Sequence, residues 1–136
     1  MTPLLILTHG EFGAVLLKAA EGMYGPQTQA LALGLGPDET RESFAERVNQ
    51  ARTTLDGQAL VLVDLICGTP WNVALLTGCA REGEVLAGVN LPMLLECIGL
   101  RDALPPRELA AELVRQLPQC FARGSVLLAG NQGGCA

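Results

Sequence analysis

One imidazole, one carboxylate set in an apolar run and one glycine-threonine-proline helix start are the groups whose types can do chemistry together. His9 is the only histidine of the chain and closes the run Leu4-Leu5-Ile6-Leu7, between the hydroxyl of Thr8 and the flexible Gly10. Asp64 interrupts a second run, Ala59-Leu60-Val61-Leu62-Val63 before Leu65-Ile66. A buried carboxylate there is costly unless it is paired. Gly68-Thr69-Pro70 follows, with threonine as the expected cap and proline at the first helical position. If the two runs are adjacent strands, Asp64 accepts a hydrogen bond from one ring nitrogen, sets the tautomer and leaves the other nitrogen as a nucleophile. The helix start offers N–H groups and a favourable dipole to an anion, and Gly68 and Thr69 add donors for phosphoryl oxygens. Nucleophile, orienting acid and anion cradle together describe a transiently phosphorylated histidine.

Taken singly, each residue has a plainer role. A histidine after a strand commonly serves a loop or packing, Asp64 can be satisfied by backbone amides, and Thr69 can be only a cap. Trp71 and Asn72 read as packing and turn residues, and Glu11 as pointing into water.

The elements that must position these groups follow from the pattern. Leu4–Leu7 reads as a strand buried on both faces. Phe12 to Met23 has apolar residues at helical spacing (Phe12, Val15, Leu16, Ala19, Ala20, Met23) and stops at Gly25-Pro26. A second strand is expected over Thr28–Leu33, then a loop at Gly34–Pro37. A helix capped by Asp38 should run to Leu55 with Phe44, Val48 and Leu55 inward. Strand Ala59–Ile66 precedes a helix from Thr69 to about Ala80. Glu84–Val89 is a fourth strand, and Asn90-Leu91-Pro92 opens a helix to Ile98. The helix from Arg107 to Phe121 should kink or end at Pro118. Ser125–Ala129 reads as a last short strand, and residues 131–136 as a flexible tail on a single domain spanning 1–130.

This order implies an α/β fold: a three-layer open sheet, mainly parallel, with helices on both faces. The last strand falls at an edge, and exchange or pairing within a homodimer would cover its apolar Val126-Leu127-Leu128.

Composition agrees and excludes other classes. The chain has 136 residues, 49% hydrophobic and only 17% charged, which suits a sheet covered on both sides or a surface kept for a partner. No apolar run reaches the roughly 18 residues that span a bilayer, and no secretion signal is expected. Net charge is −5 with the basic residues scattered, which argues against nucleic acid and favours a basic protein partner. The five cysteines (Cys67, Cys79, Cys97, Cys120, Cys135) form no Cys-x-x-Cys, and one histidine does not complete an ordinary zinc set. No metal or cofactor is expected, and most of the thiols should be reduced and buried, as in a cytoplasmic protein. Gly34-x-Gly36 has Glu39 where a dinucleotide fingerprint wants its third glycine, and no Walker-type lysine motif or Gly-x-Ser-x-Gly elbow occurs. Cys67 has Val73, not arginine, six residues on, unlike a cysteine phosphatase.

Three blocks carry a family resemblance. Leu7-Thr8-His9-Gly10 with Leu16-Leu17-Lys18-Ala19-Ala20, then Leu62-Val63-Asp64 with Gly68-Thr69-Pro70-Trp71-Asn72, then Ala87-Gly88-Val89-Asn90-Leu91-Pro92-Met93-Leu94-Leu95-Glu96, resemble in order the IIA component of the mannose-type sugar phosphotransferase system. Cys67 stands where that family often has glycine, and Thr69 where serine is usual; both keep the nucleophile and its partner. The resemblance implies that His9 takes a phosphoryl group on Nε2 from the histidine phosphocarrier protein and passes it to a IIB domain. Asp64 would bind the inner nitrogen, and membrane IIC and IID components would use the phosphate for sugar uptake of the mannose or N-acetylgalactosamine type. It also implies an antiparallel edge strand exchanged within a homodimer. A carrier that must shield a phosphohistidine from water yet offer it to two partners is expected to have a shallow apolar rim around His9, with Phe12, Trp71 and Met93 as its members. Alternatives are a phosphohistidine domain serving a dihydroxyacetone kinase or a sugar-operon regulator, and a non-catalytic anion-binding module.

Overall fold

The computed structural model describes residues 1–130. The expected flexible tail and Cys135 lie outside the described residues. Strands β1 (Leu4–His9), β2 (Ala30–Leu35), β3 (Leu60–Val63) and β4 (Glu84–Ala87) form a parallel sheet in the order β2-β1-β3-β4. Helices α1 (Phe12–Tyr24), α2 (Arg41–Thr53), α3 (Thr69–Leu76), α4 (Cys79–Glu82), α5 (Leu91–Leu100), α6 (Pro106–Gln116) and α7 (Gly124–Ala129) complete it, with a short 3-10 turn at Leu117–Cys120. The chain leaves β1 for β2 on one side and returns for β3 on the other, so the reversal of winding falls between the carboxyl ends of β1 and β3. Open α/β sheets place their ligands at that crevice.

Alternation along the central strands divides the core. Leu4, Ile6, Leu60 and Leu62 face a layer of α1, α5 and α6, with Ala20, Met93, Leu94, Cys97, Leu109 and Leu113. Leu5, Leu7, Val61 and Val63 face the other side and meet Phe44, Val48, Val73 and Cys79 from α2, α3 and α4. Both faces of β1 and β3 are therefore dry, which is why they read as unbroken apolar runs.

Several elements differ from the expectation. β2 starts and ends two residues later and takes in Gly34 and Leu35. Its partner contact requires that glycine, because a Cβ on Gly34 would lie 2.0 Å from the Gly10 carbonyl oxygen. α2 is capped by Thr40, whose side chain accepts the Ser43 N–H at 3.1 Å, and not by Asp38. Phe44, Val48 and Leu55 are inward as expected. The α3 region breaks at Gly78, where φ of 83° starts the short α4. Pro118 does end the helix before it, through the 3-10 turn.

Two corrections are larger. In α1 the buried positions are Gly13 and Ala20, while Phe12, Val15 and Met23 are exposed. Small residues let this helix lie close on the sheet, and the bulky ones are left outside. Ser125–Ala129 is not a strand: it lies in helix α7, and none of α7 is buried. Among the described residues all strand pairs are parallel, so the expected antiparallel edge strand is not formed in this single chain. A peripheral segment with no neighbour to supply strand hydrogen bonds satisfies its backbone internally.

Arg101, at the end of α5, is buried and had no counterpart in the sequence reading. Its Nη2 donates to the Thr28 and Gln29 carbonyls, both at 2.9 Å, and ties α5 to the entrance of β2. Burial lowers its pKa from the ordinary arginine value. Burial also pushes the Cys97 thiol up to about 12, opposed by the nearby Arg101 guanidinium.

Cys67 and Cys120 are exposed and Cys79 and Cys97 buried, so the expectation of mostly buried thiols holds for two of these four. In the native protein a thiol reagent at neutral pH should modify Cys67 and Cys120 rapidly and leave Cys97 untouched, read by peptide mass. Gly34→Ala should cost about 2–3 kcal/mol, seen as a lower urea midpoint; an unchanged midpoint contradicts the close approach to Gly10.

Candidate functional site

The end of β1 and the turn after β3 meet at one carboxylate. Asp64 Oδ2 lies 2.8 Å from His9 Nδ1 and accepts the His9 backbone N–H at 2.9 Å. An ionised carboxylate only accepts, so Nδ1 carries the proton of this bond, and in the neutral ring Nε2 is the nitrogen with the lone pair. One oxygen thus holds the residue at both backbone and ring, leaving the imidazole few ways to turn. Asp64 Oδ1 is buried and makes no hydrogen bond among the described residues. The His9 side chain is 48% exposed against 15% for Asp64, so the acid is sheltered while the free nitrogen faces outward.

The turn out of β1 is tightly built. Gly10 has φ of 56°, and its N–H donates to the Leu35 carbonyl at 2.9 Å. Thr8 is fully buried, and its hydroxyl accepts the Gly13 N–H at 2.8 Å. On the other side, Leu65, Ile66 and Cys67 form the turn between β3 and α3. Cys67 adopts φ of 64°, a conformation L residues other than asparagine and aspartate rarely hold, worth on the order of 1–3 kcal/mol of local strain. The Asn72 side chain bridges to its carbonyl at 3.4 Å.

Gly68, not Thr69, occupies the capping position of α3, and the cap makes no side-chain hydrogen bond. Thr69 is the first helical residue and is half-buried. The Asn72 N–H closes the first turn onto the Gly68 carbonyl at 3.0 Å. Pro70 has no N–H, so Thr69 and Trp71 supply the free backbone donors of this helix start. A Cβ on Gly68 would lie 3.0 Å from His9 Cε1 and 3.6 Å from Nε2. The amino end of α3 therefore stands directly beside the free ring nitrogen, and the positive end of its dipole favours negative charge there.

The expected rim is only partly present. Phe12 is exposed and Trp71 half-buried against the core. Met93 is 1% exposed and belongs to the core beneath α5, so it is not a surface residue. In its place stand Leu65 and Ile66, exposed at 56% and 60%. Sequence reasoning carried β3 through both as buried strand. The signal that marks them is Asp64 itself, which ends the dry part of the run.

A crevice of about 530 Å³ lies at the opposite end of the sheet, lined by residues including Arg52, Gln58, Val61, Cys79 and Glu82. Its Arg52 is already paired with Glu82 and with the Thr77 carbonyl. The open His9 edge differs from that crevice in presenting an imidazole that is half-exposed and held at Nδ1 only. Among the described residues no cluster of three or more potential metal ligands occurs, and no helix is long and apolar enough to cross a membrane.

A parallel α/β domain presenting a carboxylate-held histidine beside a helix start defines a class suited to carrying an anionic group. The sequence model of the EIIA-man family, described as the fructose IIA component of the PTS system, matches residues 3–114. The chain belongs to this family, the EIIA components of the mannose, fructose and sorbose type in the sugar phosphotransferase system (PTS). It is 30% identical over 124 residues to the PTS system fructose-specific EIIA component of Bacillus subtilis, covering 89% of this chain and 85% of that one. It is 38% identical over 105 residues to the PTS system mannose-specific EIIAB component of Escherichia coli K12, covering 75% of this chain and 32% of that protein. The chain thus spans about a third of the length of that relative. The PTS IIA protein associated with the fucose utilization operon of Streptococcus pneumoniae superposes with a TM-score of 0.82 at 28% identity, covering 93% and 96% of the two chains. EIIA components are phosphotransferases in general.

Because φ at Gly68 is an ordinary −77°, a side chain there is not strained by the backbone; its Cβ would press on His9 Cε1 at 3.0 Å and reach the Leu65 carbonyl oxygen only at an ordinary contact distance of 3.4 Å. Gly68→Ala should leave the unfolding midpoint nearly unchanged while displacing the imidazole. The loss is read as a weakened His9 Nδ1–H resonance in 15N-edited NMR; an intact resonance contradicts the contact.

Proposed function

We propose that this chain is a phosphocarrier that cycles one phosphoryl group on His9 Nε2, with residues 1–130 acting as a single domain. The observation that supports it most is the 2.8 Å contact of His9 Nδ1 with Asp64 Oδ2, which leaves Nε2 free beside the start of α3. The donor is the histidine phosphocarrier protein and the acceptor a IIB domain, in the cytoplasm, with membrane components completing sugar uptake.

The step balances simply. The Nε2 lone pair attacks the phosphorus of a phosphohistidine on the donor, and the N–P bond of the donor breaks as the new one forms. The donor imidazole leaves with that electron pair. The His9 ring becomes cationic, and its Nδ1–H now faces the Asp64 carboxylate with a full positive charge, so the hydrogen bond strengthens as charge develops. Asp64 is a positioning and charge-balancing residue. Thr69, through its hydroxyl and N–H, and the backbone at Gly68 face the phosphoryl oxygens. Transfer to the acceptor is the same displacement in reverse. Phe12, Trp71, Leu65 and Ile66 give the partner proteins apolar surface that excludes water around the phosphohistidine.

A homodimer is part of this reading. Phe121, Val126 and Leu128 stand in the carboxyl-terminal segment with 79%, 56% and 72% of their surface exposed, and a second copy would cover them. Light scattering should give twice the mass of the chain.

Incubation with phosphoenolpyruvate and the general phosphocarriers should add one acid-labile phosphoryl group, read by intact mass before and after acid. His9→Ala should take none. A label retained by that variant overturns the assignment. Asp64→Asn should fold and still be labelled, but about ten- to a hundredfold more slowly, as expected for loss of a charge-assisted hydrogen bond.

A further inference from the structure

We infer that Thr8 is the positioning residue that holds His9 in register with Asp64; this rests on His9 being the phosphoryl acceptor. Thr8 precedes the histidine, is fully buried, and points to the α1 face of β1 while His9 points to the α3 side. Its hydroxyl makes two bonds across the turn. It accepts the Gly13 N–H at 2.8 Å and donates to the Gly10 carbonyl at 3.3 Å.

Among the described residues neither of those groups makes another hydrogen bond. Gly13 lies in the first turn of α1, where N–H groups lack helical acceptors, and the capping residue Glu11 makes no side-chain bond. The cap of α1 is therefore supplied by the strand before it. The Gly10 carbonyl is turned toward Gly34, which offers it close contact but no side chain. Gly13 lies so close to Thr8 that a Cβ would come within 3.0 Å of its Oγ1 and Cγ2. The hydroxyl thus ties both ends of the turn that carries His9 out of the sheet. His9 is held from one side by Asp64 and from the other by this staple. Without it the turn can open, and the His9 N–H and ring nitrogen lose their shared oxygen together. A misplacement of that size is enough to slow group transfer strongly.

Thr8→Val removes the hydroxyl and keeps the shape, Thr8→Ala removes both, and Thr8→Ser keeps only the hydroxyl. Each is checked for fold by circular dichroism, then followed by the His9 Nδ1–H resonance and by the rate of phosphorylation from the phosphocarrier protein. We expect Thr8→Val to weaken the resonance and lower kcat about ten- to a hundredfold with KM for the donor little changed, and Thr8→Ser to stay within about threefold of the parent. A parent-like rate and resonance in Thr8→Val overturn the inference, as does a Thr8→Ser variant as slow as Thr8→Val, which would assign the effect to the methyl. If Thr8→Val does not fold, Thr8→Ala takes its place against Thr8→Ser under the same criteria. A parent protein that takes no phosphoryl group refutes the proposed function, whereas the resonance still judges Thr8.

Discussion

The carboxylate of Asp64 sits where two parallel strands stop being joined by the backbone ladder. Pairing of β1 with β3 ends at Leu7 and Val63, and beyond it one side-chain oxygen takes over, receiving both the main-chain and the ring N–H of His9. That single acceptor converts a flexible exit from the sheet into a defined orientation. It also divides the histidine into a protonated nitrogen that is sheltered and an unprotonated one that is offered to solvent. The tautomer and the direction of the ring both follow from it.

The surroundings serve that orientation by removing bulk. Gly34 admits the Gly10 carbonyl, Gly68 admits the His9 ring, and Gly13 admits the Thr8 side chain; at each, a methyl group would fall within about 3 Å of the neighbour. Three elements from distant parts of the sequence converge on one turn because side chains have been left out where they meet. The strained Cys67 is the counterpart on the β3 side, where the chain must reverse quickly to bring the amino end of α3 beside the ring.

Exposure of the site follows the same logic. His9 stands half-exposed at an open edge of the sheet rather than in an enclosed cavity, with Phe12, Leu65 and Ile66 exposed around the same edge. Those apolar side chains are costly on a free surface and useful against a partner. The exposed residues of α1 and of the carboxyl-terminal segment belong to the same pattern. They make the molecule's outer surface more apolar than its core requires.

The parallel α/β order, the dry central strands and the meeting of His9 with Asp64 were legible from composition and spacing, because buried strands and helix starts are written in local pattern. Leu4–Leu7 and Leu60–Val63 cannot be solvated, and a carboxylate next to such a run needs a partner. Three things were decided only by packing. Met93 lies inside and Leu65 and Ile66 outside, because burial depends on which way a chain turns after its strand and not on side-chain type. Segment 125–129 is helical here although its residues suit a strand, since strand hydrogen bonds must come from a neighbour and none of the described strands pairs with it. The capping of α1 by Thr8 was hidden for the same reason: the donor and acceptor are five residues apart in sequence, and only the folded turn brings them to 2.8 Å.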